Sequence, residues 1–241
     1  LKKWDKKREQ LPYNTDGVVV VVNDIPQERK LGSVGKTDRW MAAYKFAAEQ
    51  GTTRVKDIIV QVGRTGALTP VAILDPVQLA GTTVSRATLH NEDEIERLDI
   101  RVGDTVIVQK AGDIIPDVVE VLKRLRTGKE KKFVFPKKCP QCGSPVSRPE
   151  GEVAHYCTNK SCFAQELAGL IHFVSRKGFD IEGLGDKIVE QLMTAGLIRD
   201  AADLFTLKET DVKPLERFAE KSAENLIVAI QGARNVPLAK Y

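Results

Sequence analysis

The chain has 241 residues, of which 42% are hydrophobic and 29% charged, and a formal net charge of +4. That length and apolar fraction allow two or three small cores, so a soluble globular chain is expected. No apolar run approaches the roughly 20 residues that span a bilayer, and no apolar h-region follows Leu1-Lys2-Lys3-Trp4, so no membrane partner and a cytoplasmic location are expected. The chain begins at Leu1 without an initiator methionine, as a fragment of a longer protein would.

Strand signals dominate up to about residue 122. Short apolar runs at 18–22, 55–62, 71–74, 105–108 and 114–122 alternate with turn glycines at 63, 66, 81, 103 and 112. Their close spacing predicts a barrel of about five strands between residues 51 and 122, with a generic small sandwich as the alternative. Residues 123 to 138 then hold eight Lys or Arg against one acid, Glu130. Charge alone leaves a phosphate-facing connector and a solvated linker equally open.

All four cysteines fall in the next segment, as Cys139-x2-Cys142 and Cys157-x4-Cys162. Two short knuckles bracketing a loop turn their sulfurs toward one point, which predicts a closed, structural zinc site. Two disulfides are the alternative, disfavoured in a cytoplasmic chain. His155 is a second-rank candidate ligand. Beyond Phe163 the pattern turns helical: Leu167, Leu170, Ile171 and Val174 share a face, as do Ile188, Leu192 and Met193, then Leu226, Ile227 and Ile230.

Within this helical region, Ile181-Glu182-Gly183-Leu184-Gly185 precedes Asp186-Lys187-Ile188-Val189. Gly183 and Gly185 at a helix start would let a DNA backbone approach the amides there, the logic of a helix-hairpin-helix; a plain connection with a glycine cap is the alternative. A second, degenerate copy at 215–223 carries Arg217 and Ala219 in place of the glycines, with Lys221 as a remaining charge.

Asp16-Gly17-Val18-Val19-Val20-Val21-Val22-Asn23 and Arg39-Trp40-Met41-Ala42-Ala43-Tyr44-Lys45-Phe46 resemble the fourth and fifth nucleotidyltransferase motifs of NAD-dependent DNA ligases. Val62-Gly63-Arg64-Thr65-Gly66, Thr69-Pro70-Val71-Ala72, Val84-Ser85-Arg86-Ala87-Thr88-Leu89-His90-Asn91 and Lys110-Ala111-Gly112-Asp113-Ile114-Ile115-Pro116 are similar to that family's OB fold. The cysteines and the hairpin follow in family order. The resemblance implies a multidomain α+β chain: the end of an adenylation domain over 1–50, an OB fold over 51–125, a basic linker over 126–138, a zinc finger over 139–162 and a helix-hairpin-helix region over 163–241.

It further implies a bacterial, nucleoid-associated monomer that seals nicked double-stranded DNA, with NAD as AMP donor and Mg2+ or Mn2+ as catalytic ion beside the structural Zn2+. Lys45 would contact the α-phosphate, and Asp16 would lie near the metal or adenylate. Arg64, Thr65, Thr88, His90, Asn91 and Lys110 would face DNA from the OB fold, although His90 reads equally well as a turn histidine. Two departures stand out. The family usually carries a lysine at the position of Val21, and no Lys-x-Asp-Gly occurs in these 241 residues, so the covalent nucleophile is expected upstream and this chain alone should not react with NAD. The competing readings are a non-catalytic DNA clamp descended from a degenerate ligase and a zinc-stabilised RNA-binding scaffold; the latter leaves Asp16-Gly17 and residues 40–46 unexplained.

Overall fold

A computed structural model describes residues 2–7, 10–13, 15, 17–46, 48–79, 81–110, 115–216, 218 and 220–235. Asp16, Gly112, Ile114, Arg217 and Ala219 lie outside the described residues. The chain divides into two compact units, Leu1–Ile59 with Pro70–Phe133, and Val60–Thr69 with Val134–Tyr241.

The first unit opens with helix α1 (Lys2–Lys7), strand β1 (Gly17–Val21), helix α2 (Ile25–Leu31), the two-residue strands β2 (Ser33–Val34) and β3 (Thr37–Asp38), and strand β4 (Met41–Lys45). Asp24 starts α2 by accepting from the Gln27 amide, with Pro26 in the first turn where its missing N–H is not needed. The valine run of β1 pairs antiparallel with β4, from Gly17 opposite Lys45 to Val21 opposite Met41. This ribbon is not covered: Val19, Val20 and Val21 are each more than half exposed. Two strands alone are marginal in water, so the ribbon needs an apolar cover to be stable.

The barrel uses β5 (Glu49–Val62), β6 (Ala67–Leu79), β7 (Thr82–Thr88), β9 (Thr105–Lys110) and β10 (Asp117–Val121), in the order β6-β5-β9-β10-β7, and a β6–β7 pairing closes it. Its inward residues, among them Val55, Leu74, Val84, Ala87, Val106, Val108 and Val118, alternate with exposed ones and form one core. Helix α3 (Glu92–Leu98) plugs this core with Ile95 and Leu98. Periodicity in the sequence gives no sign of α3, because seven residues are too few to show a helical repeat. What specifies it is local chemistry: the Asn91 side chain caps the Glu94 amide, three acids occupy the first turn, and Asp99 ends the helix in a left-handed conformation. The short β8 (Arg101–Val102) pairs with β11 (Lys131–Lys132), and a 3-10 turn at Lys123–Leu125 follows β10.

In the second unit, β12 (Val146–Ser147) and β13 (His155–Cys157) form the finger, and β13 continues onto Leu68 and Ala67 at the start of β6. Helices α4 (Phe163–Val174), α5 (Asp186–Thr194), α6 (Ala201–Leu204), α7 (Glu209–Val212) and α8 (Glu220–Gly232) complete it. The expected apolar faces meet: Leu170, Val174, Leu192, Leu226 and Ile230 join Ile181, Leu184 and Val189 in a second core. No helix among the described residues is long and apolar enough to cross a membrane.

Candidate functional site

The sulfurs of Cys139, Cys142, Cys157 and Cys162 all lie within 4.8 Å of one another. Cys139 and Cys162 are 4.0 Å apart, Cys142 and Cys157 3.5 Å. Four thiolates at about 2.3 Å from a tetrahedral zinc would sit about 3.8 Å apart, so the spacing fits the ion. It does not fit a disulfide, which needs about 2.0 Å, and all four cysteines are free. Burial pushes the Cys157 thiol up to about 12 and raises Cys162, whereas hydrogen bonding to Ser144 brings Cys142 down to about 6. Buried thiolates need a cation to stabilise them, which a zinc ion held by these four sulfurs would supply. His155 is not part of the ligand set; its ring stacks on Phe135 at 4.4 Å.

The finger grips the tip of the β5–β6 hairpin. The Cys157 amide donates to the Gly66 carbonyl at 2.9 Å. Gly66 has φ +82, and a Cβ there would meet the Gln165 side chain at 3.0 Å, so this turn accepts glycine and strains anything larger. Gln165 is tied in turn to the Asn159 carbonyl at 2.8 Å. Arg64 and Thr65, both exposed, are therefore presented on a tip whose position depends on the finger. Lys160 and Lys177, which belong to no sequence motif, share a cleft with Arg64.

The remaining barrel candidates lie at the ends of its strands. Lys110 donates to the Thr82 hydroxyl at 2.8 Å. Thr88 accepts from the His90 amide at 3.1 Å, and His90 is exposed at φ 56, a left-handed conformation uncommon for a histidine. Asn91 commits its side-chain oxygen to the α3 cap. Gly183 has φ +81, and Gly185 caps α5 without a side-chain hydrogen bond, both lining an open cleft with Ser175, Lys187 and Ser222. In the ribbon, Lys45 and Val21 fall on the same face, since Gly17–Lys45 and Val21–Met41 are both directly opposed pairs of even separation.

Barrel and finger define the class: a modular OB-fold protein with a closed four-thiolate zinc centre. Residues 1–49 match the model of the NAD-dependent DNA ligase adenylation domain, 52–130 that of the NAD-dependent DNA ligase OB-fold domain, and 138–164 that of the NAD-dependent DNA ligase C4 zinc finger domain. The DNA ligase of Desulforamulus reducens is 54% identical over 235 residues, and that of Pelotomaculum thermopropionicum 56% over 237. Each alignment covers 98% of this chain and 35% of the relative, so the chain spans about a third of the length of these proteins. The chain belongs to the NAD-dependent DNA ligase family.

Proposed function

We propose that this chain is the part of a nick-sealing, NAD-dependent DNA ligase that completes the nucleotide pocket and carries the DNA-gripping modules. The observation that supports it is the run of adenylation, OB-fold and zinc-finger matches in one order, on a chain more than half identical to DNA ligases. In this reading an upstream lysine is adenylated by NAD, AMP passes to the 5′-phosphate at the nick, and the 3′-hydroxyl oxygen attacks that phosphorus as AMP leaves. Each step moves negative charge between phosphates. Lys45, fixed by strand pairing, supplies a preorganised cation to the α-phosphate. Asp16 offers an oxygen donor of the kind that holds magnesium or manganese, ions commonly bound by one or two carboxylates plus phosphate.

The uncovered valines of β1 suit a ribbon that is the edge of a larger adenylation domain. Arg64, Thr65, Thr88, His90, Asn91 and Lys110 are assigned to DNA from the OB fold. The Gly183–Gly185 turn is read as a helix-hairpin-helix whose uncapped α5 amides receive a backbone phosphate. The protein acts as a cytoplasmic monomer at the nucleoid. The test is sealing of a singly nicked duplex by a protein carrying this chain behind a Lys-x-Asp-Gly segment, with magnesium and either NAD or ATP. Sealing with NAD and not with ATP is expected; a protein that binds the duplex but seals with neither would overturn the proposal in favour of a non-catalytic clamp.

A further inference from the structure

The finger is built around its own sulfurs. From residue 135 to residue 169 the buried apolar side chains are Phe135, Cys139, Cys157 and Cys162. With so little apolar surface to bury, this segment depends on metal–thiolate bonds for its fold. The four thiols are not equally sheltered, for Cys142 is half-buried where the other three are buried. Its Sγ lies 3.5 Å from that of Cys157, nearer than the 4.0 Å between Cys139 and Cys162.

The same segment holds the tip of the β5–β6 hairpin. The Cys157 amide donates to the Gly66 carbonyl at 2.9 Å, and β13 pairs with the start of β6, His155 opposite Leu68 and Tyr156 opposite Ala67. Residues 60–69 and the finger belong to one compact unit. Cys157 therefore offers its sulfur to the metal and its backbone to the tip. A change at that sulfur reaches the turn through a single residue.

We propose that Cys142 and Cys157 form an oxidation site for hydrogen peroxide, and that closing them into a disulfide releases the zinc and frees the hairpin tip. The Cys142 thiolate, the accessible one, attacks a peroxide oxygen; the O–O bond breaks, and the departing hydroxide takes a proton and leaves as water. Cys142 is then a sulfenic acid. The Cys157 thiolate attacks its sulfur, the S–S bond forms, the S–O bond breaks, and the second hydroxide leaves as water on taking a proton. Two thiolates have given up two electrons, and one peroxide has become two waters. Cys139 and Cys162 remain, and two thiolates do not make the closed tetrahedral set that holds a structural zinc. A dithiol reverses the step by taking the disulfide onto itself. The inference goes beyond the nick-sealing reading and rests on the thiolate centre alone.

The test treats the zinc-loaded chain with hydrogen peroxide up to one equivalent, blocks the remaining thiols with N-ethylmaleimide, and identifies the disulfides by peptide mass spectrometry. A chromogenic chelator follows released zinc, and amide hydrogen exchange follows the tip. The first disulfide is expected between Cys142 and Cys157, with one zinc lost for each disulfide formed. Exchange should quicken at residues 63–68 and 155–157 while β9 and β10 keep their protection, and dithiothreitol with added zinc should restore the starting state. A first disulfide between any other pair, a Cys142 sulfinic acid without a disulfide, or zinc retained under a large excess of peroxide would overturn the oxidation site. Unchanged exchange at the tip after zinc has left would overturn the coupling. No DNA or nucleotide enters the assay, so failure of the nick-sealing reading would leave its result standing.

Discussion

Replacing Arg126 with leucine should destabilise the barrel unit strongly. The Arg126 guanidinium holds Asp104 with both arms of its fork, Nε to Oδ1 at 2.8 Å and Nη2 to Oδ2 at 2.9 Å. Nη1 donates to Asp99 at 2.8 Å, and Nη2 also reaches the Asp99 carbonyl. The Asp104 side chain has no exposure, so its charge is removed from water and relies on Arg126 and on the Arg101 amide at 2.8 Å. Removing one partner of a buried pair leaves the other uncompensated, worth about 3–5 kcal/mol. The surviving Arg101 bond puts the expectation at the lower end, about 3 kcal/mol, and the exposed Asp99 pairing adds little. Urea unfolding followed by far-UV circular dichroism measures it, and Arg126→Leu combined with Asp104→Asn should recover part of the loss. The same fork holds the Asp99 carboxyl down at about 2. A carboxylate depressed in the folded state stabilises above its unfolded value of about 3.9 and loses that stabilisation as pH falls toward 2. Wild type should therefore weaken through that acid window, and Arg126→Leu should weaken less steeply there. The variant loses the share of Asp99 and keeps that of Glu130, whose carboxyl hydrogen bonds from Thr127 and Gly128 also hold down at about 2. A loss below about 1 kcal/mol at neutral pH, with the acid dependence unchanged, would refute the reasoning.

Cys142→Ser should lower metal content below one zinc per chain by elemental analysis and lower the thermal stability of the finger, because metal binding here is folding free energy; full stability without metal would contradict it. Gly183→Val should weaken duplex binding uniformly across sequences, since φ +81 and a bulky side chain both oppose close backbone approach; unchanged affinity by anisotropy would leave the hairpin a packing element. Val21→Lys, in a protein able to seal nicks, should leave the sealing rate equal or raise it. A lysine there would project from the same face as Lys45, about 13 Å along the strand, and add a second cation to the pocket; a slower rate would count against that placement.

The zinc centre is legible in the sequence because two short cysteine spacings are nearly sufficient to bring four sulfurs together, and the three helical faces because 3.6-residue periodicity survives over α4, α5 and α8. The barrel is legible as strand runs and turn glycines, though not α3, whose start and stop signals are single residues, Asn91 and Asp99. The basic run at 123–138 shows why charge counts mislead. Within it Lys123 and Arg126 both pair with Asp99 some two dozen residues earlier. Nothing local predicts that pairing, because it depends on β8 and the 3-10 turn meeting in space. The same holds for the hairpin tip: glycines 63 and 66 announce a turn, but only the fold shows that Cys157 holds it and that Lys160 and Lys177 line a cleft with Arg64. Family resemblance assigns Asn91 to DNA, and the fold gives its side chain a capping duty besides.

The central claim is that this chain brings Lys45 to the phosphoryl chemistry of nick sealing. The most direct measurement is a single-turnover time course on a singly nicked duplex with NAD and magnesium, comparing a protein that carries this chain with its Lys45→Ala variant. Losing a preorganised charged contact to a transferring phosphoryl group removes on the order of 100-fold or more in rate, about 3 kcal/mol, so sealing should fall at least that far while duplex affinity holds. A Lys45→Ala protein that seals at the wild-type rate would contradict the account.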